Sequence, residues 1–155
     1  MKKIPSITVP IIDGEKTFTI NLFELLKDKK VIIFGVPGAF TPTCSEQHLP
    51  GFLKLNDQIK NKEIDDIFCI SVNDKFVMQS WLSSFVNGDK IKGIADGNAE
   101  VSNYLGLTSD KSSDFMGLRC VRFAMIVWDN SIKEIFIEKP GILKVSSAEN
   151  ILSKL

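Results

Sequence analysis

The chain has 155 residues, 44% hydrophobic and 25% charged, the balance of one soluble globular domain expected to span residues 1–155. Its 19 basic and 19 acidic residues cancel, which argues against nucleic acid or an anionic membrane as partner. Three cysteines without CxxC spacing are too few for a disulfide framework, no run approaches transmembrane length, and Pro5 and Pro10 interrupt any signal-peptide core, so a reducing cytoplasmic setting is expected.

Residues 7–12 and 16–20 read as the arms of a hairpin around the turn dipeptide Asp13-Gly14. Asn21 is placed to cap a short helix over residues 22–26. The apolar run 31–36 has the pattern of a strand buried on both faces. Residues 45–60 read as a helix, with a kink expected at Pro50-Gly51. A second buried strand follows at 67–72, then a helix over 75–86 capped by Asn73 or Asp74. Residues 91–95 form a short strand, and 99–105 a short helix closed by Gly106. Residues 108–117 are polar and read as loop. A hairpin of 121–128 and 132–138 turns at Asp129-Asn130-Ser131, and Ser146 or Ser147 caps a final helix. The alternation predicts an α/β fold with a central mixed sheet and helices on both faces.

The segment with the strongest chemical content is 35–51, where Cys44 follows a strand and opens a helix. The first turn of a helix exposes unpaired N–H groups and the positive end of the dipole, which favour a thiolate, the nucleophilic form. Pro37, at the strand end, has no N–H and is placed to shield the sulfur. Thr41, three residues before Cys44, is able to turn its hydroxyl toward it. The backbone N–H groups of Thr43 and Cys44 are candidates to hold a developing negative oxygen. His48, the single histidine, stands one helical turn after Cys44, either as a base for it or as a packed neighbour. The only arginines, Arg119 and Arg122, fall within four residues of each other in a chain that otherwise uses lysine, which points to a need for the guanidinium fork.

Pro-Gly-Ala-Phe-Thr-Pro-Thr-Cys-Ser at 37–45, followed by His-Leu-Pro-Gly-Phe at 48–52, closely resembles the active-site segment of peroxiredoxins, and more narrowly of their type 5 or type II branch. The resemblance continues in Cys69-Ile-Ser-Val-Asn-Asp, in Arg122-Phe-Ala-Met-Ile-Val and in Val145-Ser-Ser-Ala-Glu-Asn-Ile-Leu, and so spans essentially the whole chain. It implies a thioredoxin-like fold and a thiol peroxidase acting on hydrogen peroxide and small organic hydroperoxides without metal or other cofactor. Cys44 matches the peroxidatic cysteine, which passes through a sulfenic acid. Pro37, Thr41 and Arg122 match the other three active-site positions, with Arg119 a possible support for Arg122. The branch also implies a homodimer formed through loops near the site.

Two-cysteine members of the branch carry a resolving cysteine late in the chain, whereas residues 138–147 here contain none. The resemblance then implies an outside reductant, glutathione with glutaredoxin or thioredoxin. Cys69 and Cys120 are alternative resolving residues, although Cys69 lies in an apolar strand where a buried structural thiol is the default. Cys120 is expected on the same strand face as Arg122. Two other functions stay open: a redox sensor or holdase oxidised at Cys44, and a hydrolase built on Cys44 and His48.

Overall fold

The computed structural model describes residues 2–155. Seven strands form one sheet: β1 (Thr8–Asp13), β2 (Lys16–Asn21), β3 (Lys30–Gly35), β4 (Asp66–Ser71), β5 (Lys92–Ala95), β8 (Phe123–Trp128) and β9 (Ser131–Ile137), in the order β2-β1-β5-β4-β3-β8-β9. Two shorter strands, β6 (Thr108–Asp110) and β7 (Leu118–Cys120), pair separately. The centre, β3-β4-β5, is parallel, and the β1-β2 and β8-β9 hairpins flank it antiparallel. The expected mixed sheet of a thioredoxin-like fold is therefore present.

The central strands are buried on both faces, as their unbroken apolar runs require. Alternate residues divide between two cores. Ile32, Phe34, Ile67 and Cys69 pack with Leu49, Phe52, Trp81 and Ile151 on one side; Val31, Ile33, Phe68 and Ile70 pack with Leu22, Leu26, Val101 and Leu105 on the other. The first face carries α2 (Leu49–Lys54), α4 (Lys75–Ser83) and α6 (Ala148–Lys154), and the second α1 (Leu22–Leu25) and α5 (Glu100–Tyr104). Fully buried Phe34 and Phe52 stack at 4.2 Å, each contributing about 1.5–3 kcal/mol through burial. Gly35, at the end of β3, lies under the ring of Phe123, where a Cβ would come within 2.1 Å of a ring carbon.

The caps follow the sequence. Asn21 accepts from the Glu24 N–H, Asp74 from Val77 and Ser147 from Asn150. The final hairpin turns on two residues, Asp129 and Asn130, both at positive φ, as a tight hairpin turn demands; Ser131 is already paired to Trp128.

Three local expectations are corrected. The 45–60 helix is not one rod bent at Pro50-Gly51. Residues Cys44–His48 form a π turn closed by the Leu49 N–H on the Cys44 carbonyl, α2 follows with Pro50 in its first turn, and the path breaks at Leu55 before α3 (Asn56–Lys60). Pro50 thus sits where a missing N–H costs least, and the irregularity falls at the reactive segment. Residues 108–117 contain β6 and a 3₁₀ turn, because pairing with β7 supplies partners that local polarity does not reveal. The strand expected at 121–128 begins two residues later: β8 starts at Phe123, Arg122 occupies a bend before it, and Cys120 ends the separate strand β7. Cys120 and Arg122 therefore do not share one strand face.

Candidate active site

The loop leaving β3 is held from several sides. The Ala39 N–H bonds to Asn73 Oδ1 at 3.0 Å, and the Ser71 hydroxyl reaches the same oxygen at 2.7 Å. Phe40 adopts a left-handed φ of 65°, an uncommon conformation for a bulky residue. Beyond it the chain enters a helical turn at Pro42, and Cys44 lies in that first turn, fully buried. The N–H groups of Thr43 and Cys44 find no acceptor among the described residues, as expected of a helix start.

Two side chains converge on the Cys44 sulfur. Thr41 Oγ1 lies 2.8 Å from Sγ and 2.7 Å from the Gly38 carbonyl. A hydroxyl has one hydrogen, so its direction follows the state of the sulfur. A thiol donates to Oγ1 while the hydroxyl donates to Gly38; a thiolate takes the hydroxyl hydrogen itself. Arg122 donates from Nη2 to Sγ at 3.1 Å, coming from a bend 78 residues away in the chain.

His48 does not touch the sulfur in this arrangement. Its Nδ1 faces Arg122 Nη1 at 2.9 Å, and its Nε2 faces the Ser146 carbonyl at 2.9 Å. A guanidinium only donates and a carbonyl only accepts, so Nδ1 accepts and Nε2 carries the proton. Burial, and then the Arg122 charge, push the histidine down to about 3, so the ring is neutral at physiological pH. With both nitrogens engaged, His48 is not available as a base for Cys44, and the Cys44–His48 hydrolase pair is not formed.

Behind His48 stands Glu138, at the end of β9. Its Oε2 accepts from the Ser146 N–H and the Ser146 hydroxyl, both at 2.8 Å, and from the Lys144 N–H. Burial alone would raise this carboxyl, but the N–H groups of Ser146, Lys144 and Val145 and the Ser146 hydroxyl outweigh it and hold Glu138 below the usual carboxylate range. Neither Glu138 nor the bonding role of Ser146 was legible in the sequence. The one available signal was a glutamate closing an apolar strand.

A cavity of about 310 Å³ opens beside Thr41 and Arg122, the two partners of the buried sulfur, and is lined among others by Pro37, Thr43, Met116 and Val121. Among the described residues Arg119 bonds to neither Arg122 nor a carboxylate. It lies in β7 and donates to the carbonyls of Met116 at 2.9 Å and Pro37 at 3.3 Å, so it braces the Pro37 loop. Gly38 makes room for it, since a Cβ there would lie 2.7 Å from Arg119 Nη1.

All three cysteines are free and buried. Burial, followed by the neighbouring Cys44 and Cys120, pushes the Cys69 thiol well up. Cys120 is pushed up to about 12, by burial first and then by Asp96, and its Sγ lies 3.0 Å from the Val36 carbonyl. Phe40 and Phe115 are exposed, and Phe85 packs edge-on against Trp81. Among the described residues no helix is long and apolar enough to cross a membrane, and no group of histidine, cysteine or acidic side chains gathers to hold a metal ion.

The Redoxin family model matches residues 2–152. Peroxiredoxin-2B of Arabidopsis thaliana is 40% identical over 153 residues, covering 98% of this chain and 94% of that protein. Reduced Prx3 from Vibrio vulnificus, crystallised with hydrogen peroxide, superposes with a TM-score of 0.92 at 42% identity, covering 99% of this chain and 96% of that one. The Plasmodium falciparum antioxidant protein, a 1-Cys peroxiredoxin, superposes with a TM-score of 0.89 at 35% identity over 97% and 94% of the two chains. Sequence, fold and family model agree along nearly the whole length, and the chain accordingly belongs to the peroxiredoxins, the thiol peroxidases of the Redoxin family, in their type 5 or type II branch.

Proposed function

We propose that Cys44 is the nucleophile of this peroxidase and works by a one-cysteine cycle. The observation that carries the proposal is the convergence of Thr41 and Arg122 on one buried sulfur, at 2.8 and 3.1 Å. The thiolate attacks one oxygen of hydrogen peroxide or a small organic hydroperoxide. An S–O bond forms, the O–O bond breaks, and the leaving oxygen takes a proton and departs as water or alcohol. Thr41 and Arg122 are charge-compatible donors for the transferred and leaving oxygens, and the free N–H groups of Thr43 and Cys44 supply two more. Pro37 walls the site and limits water.

The sulfenic acid is then attacked by an outside thiol, releasing water, and a second thiol frees Cys44 by disulfide exchange. Glutathione with glutaredoxin, or thioredoxin, supplies these equivalents. Supporting this reading, residues 138–147 hold no sulfur, and Cys69 and Cys120 are buried and poorly ionised. The similarity to a protein described as a 1-Cys peroxiredoxin is in keeping with it. Three free thiols suit a cytoplasmic compartment, and exposed Phe40 and Phe115 suit a homodimer contact.

The test is peroxide consumption with a thiol donor, comparing wild type and C44S. Catalytic turnover that C44S abolishes is expected. Most of the activity surviving in C44S would sink the proposal, and a single stoichiometric oxidation without turnover would favour a sensor.

A further inference from the structure

We infer that Glu138 is a positioning residue for Arg122: its carboxylate folds residues 138–147 into the shape that fixes the His48 tautomer, and the tautomer holds the guanidinium on the sulfur. This deepens the proposed role of Cys44 and rests on it.

Glu138 has no cationic partner within salt-bridge distance among the described residues, although it is largely buried. A carboxylate in that position requires donors, and a single oxygen, Oε2, gathers three of them from Lys144 and Ser146. The turn so closed leaves the Ser146 carbonyl pointing at His48 Nε2, 2.9 Å away. This carbonyl is the only acceptor that Nε2 has among the described residues. It makes the Nε2–H tautomer the favoured one and leaves the Nδ1 lone pair for Arg122 at 2.9 Å.

Without the carbonyl, the ring is free to take its proton on Nδ1. Two donors would then face each other, and the guanidinium would lose the acceptor that sets its angle toward Cys44. Glu138 also grips Arg122 directly, since its own N–H bonds to the Arg122 carbonyl at 2.9 Å. One residue therefore ties the arginine at its backbone and, through Ser146 and His48, at its head group.

The test compares E138A and E138Q in the full-length protein. Imidazole ¹⁵N shifts report the His48 tautomer, and rapid mixing with hydrogen peroxide reports the rate of Cys44 oxidation. Glutamine keeps one oxygen for the three donors, so E138Q should retain the Nε2–H form and a rate within about twofold of wild type. E138A should show a tautomer mixture and oxidise tenfold to a hundredfold more slowly, on the order expected for a misplaced catalytic group. Should E138A not fold, E138D keeps the charge but shortens the reach, and is expected to fall between the two on both readouts. An E138A or E138D protein with wild-type tautomer or wild-type rate overturns the inference, as does a failure of E138Q to rescue. The tautomer readout needs no turnover, so an error about Cys44 would surface in C44S and not in the imidazole spectrum.

Discussion

The guanidinium of Arg122 meets His48 Nδ1 at 2.9 Å, and the histidine answers as a neutral acceptor. The same guanidinium reaches Cys44 at 3.1 Å through its other nitrogen. The fork therefore spans a sulfur and an imidazole at once. This division of labour explains why arginine is kept where the chain otherwise uses lysine: a single ammonium offers no planar pair of donors.

R122A is expected to fold, since the residue lies at a bend and is only partly buried. It should oxidise Cys44 about 100-fold to 1000-fold more slowly, the range seen when one donor to a developing oxyanion is removed. R122K should fall between R122A and wild type, because lysine cannot serve sulfur and ring together. Stopped-flow oxidation by hydrogen peroxide measures both; an unchanged rate in R122A removes Arg122 from the site.

At Thr41 the hydroxyl should matter and the methyl should not. T41S keeps a donor 2.8 Å from the sulfur and is expected to stay within a few fold of wild type. T41V has nearly the same shape, lacks the hydrogen, and should lose about tenfold or more in oxidation rate. Equal rates for the two variants would assign Thr41 a packing role only.

Stability should fall on acidification in a way that reports His48. Its folded value, about 3, lies below the ordinary 6.5, so the unfolded chain binds the extra proton first as pH drops. The neutral buried ring thus contributes stability that is present above pH 6.5 and is lost as pH falls toward 3. The slope should approach 1.4 kcal/mol per pH unit, roughly, within that window. Glu138, held below the usual carboxylate range, acts in the same direction but at lower pH. Urea unfolding between pH 6.5 and 5 therefore isolates the histidine, and H48N should flatten the dependence. A wild-type slope in H48N would show that other groups carry it.

Peroxide-treated protein should yield Cys44 as sulfenic acid, or as a mixed disulfide when glutathione is present, in intact-mass and peptide spectra. C69S and C120S should both keep peroxidase turnover with an external thiol, because their buried thiols are poorly ionised. A clean Cys44–Cys69 or Cys44–Cys120 bridge would replace the one-cysteine cycle with an internal one.

Much of the framework was legible from local patterns. The Asn21 and Asp74 caps, the buried runs of β3 and β4, and a turn beginning at Asp129-Asn130 each declare themselves within a few residues, although the turn reads one residue too long, through Ser131. The pairing of β6 with β7 and the bend at Arg122 were not legible. Both depend on which distant strand supplies hydrogen-bond partners, and a polar stretch reads as loop until its partner is known.

The sequence by itself determined that a cysteine opens a helix after a buried strand, with a threonine one turn before it and a histidine one turn after. Those relations are local, and backbone geometry sets them. Tertiary structure decided what the histidine does. Its partners Arg122 and Ser146 lie 74 and 98 residues away in the chain, brought together by the β8-β9 hairpin and the loop that Glu138 closes. An i, i+4 spacing offers a histidine to a cysteine, but only the packed chain shows that both ring nitrogens are already committed elsewhere.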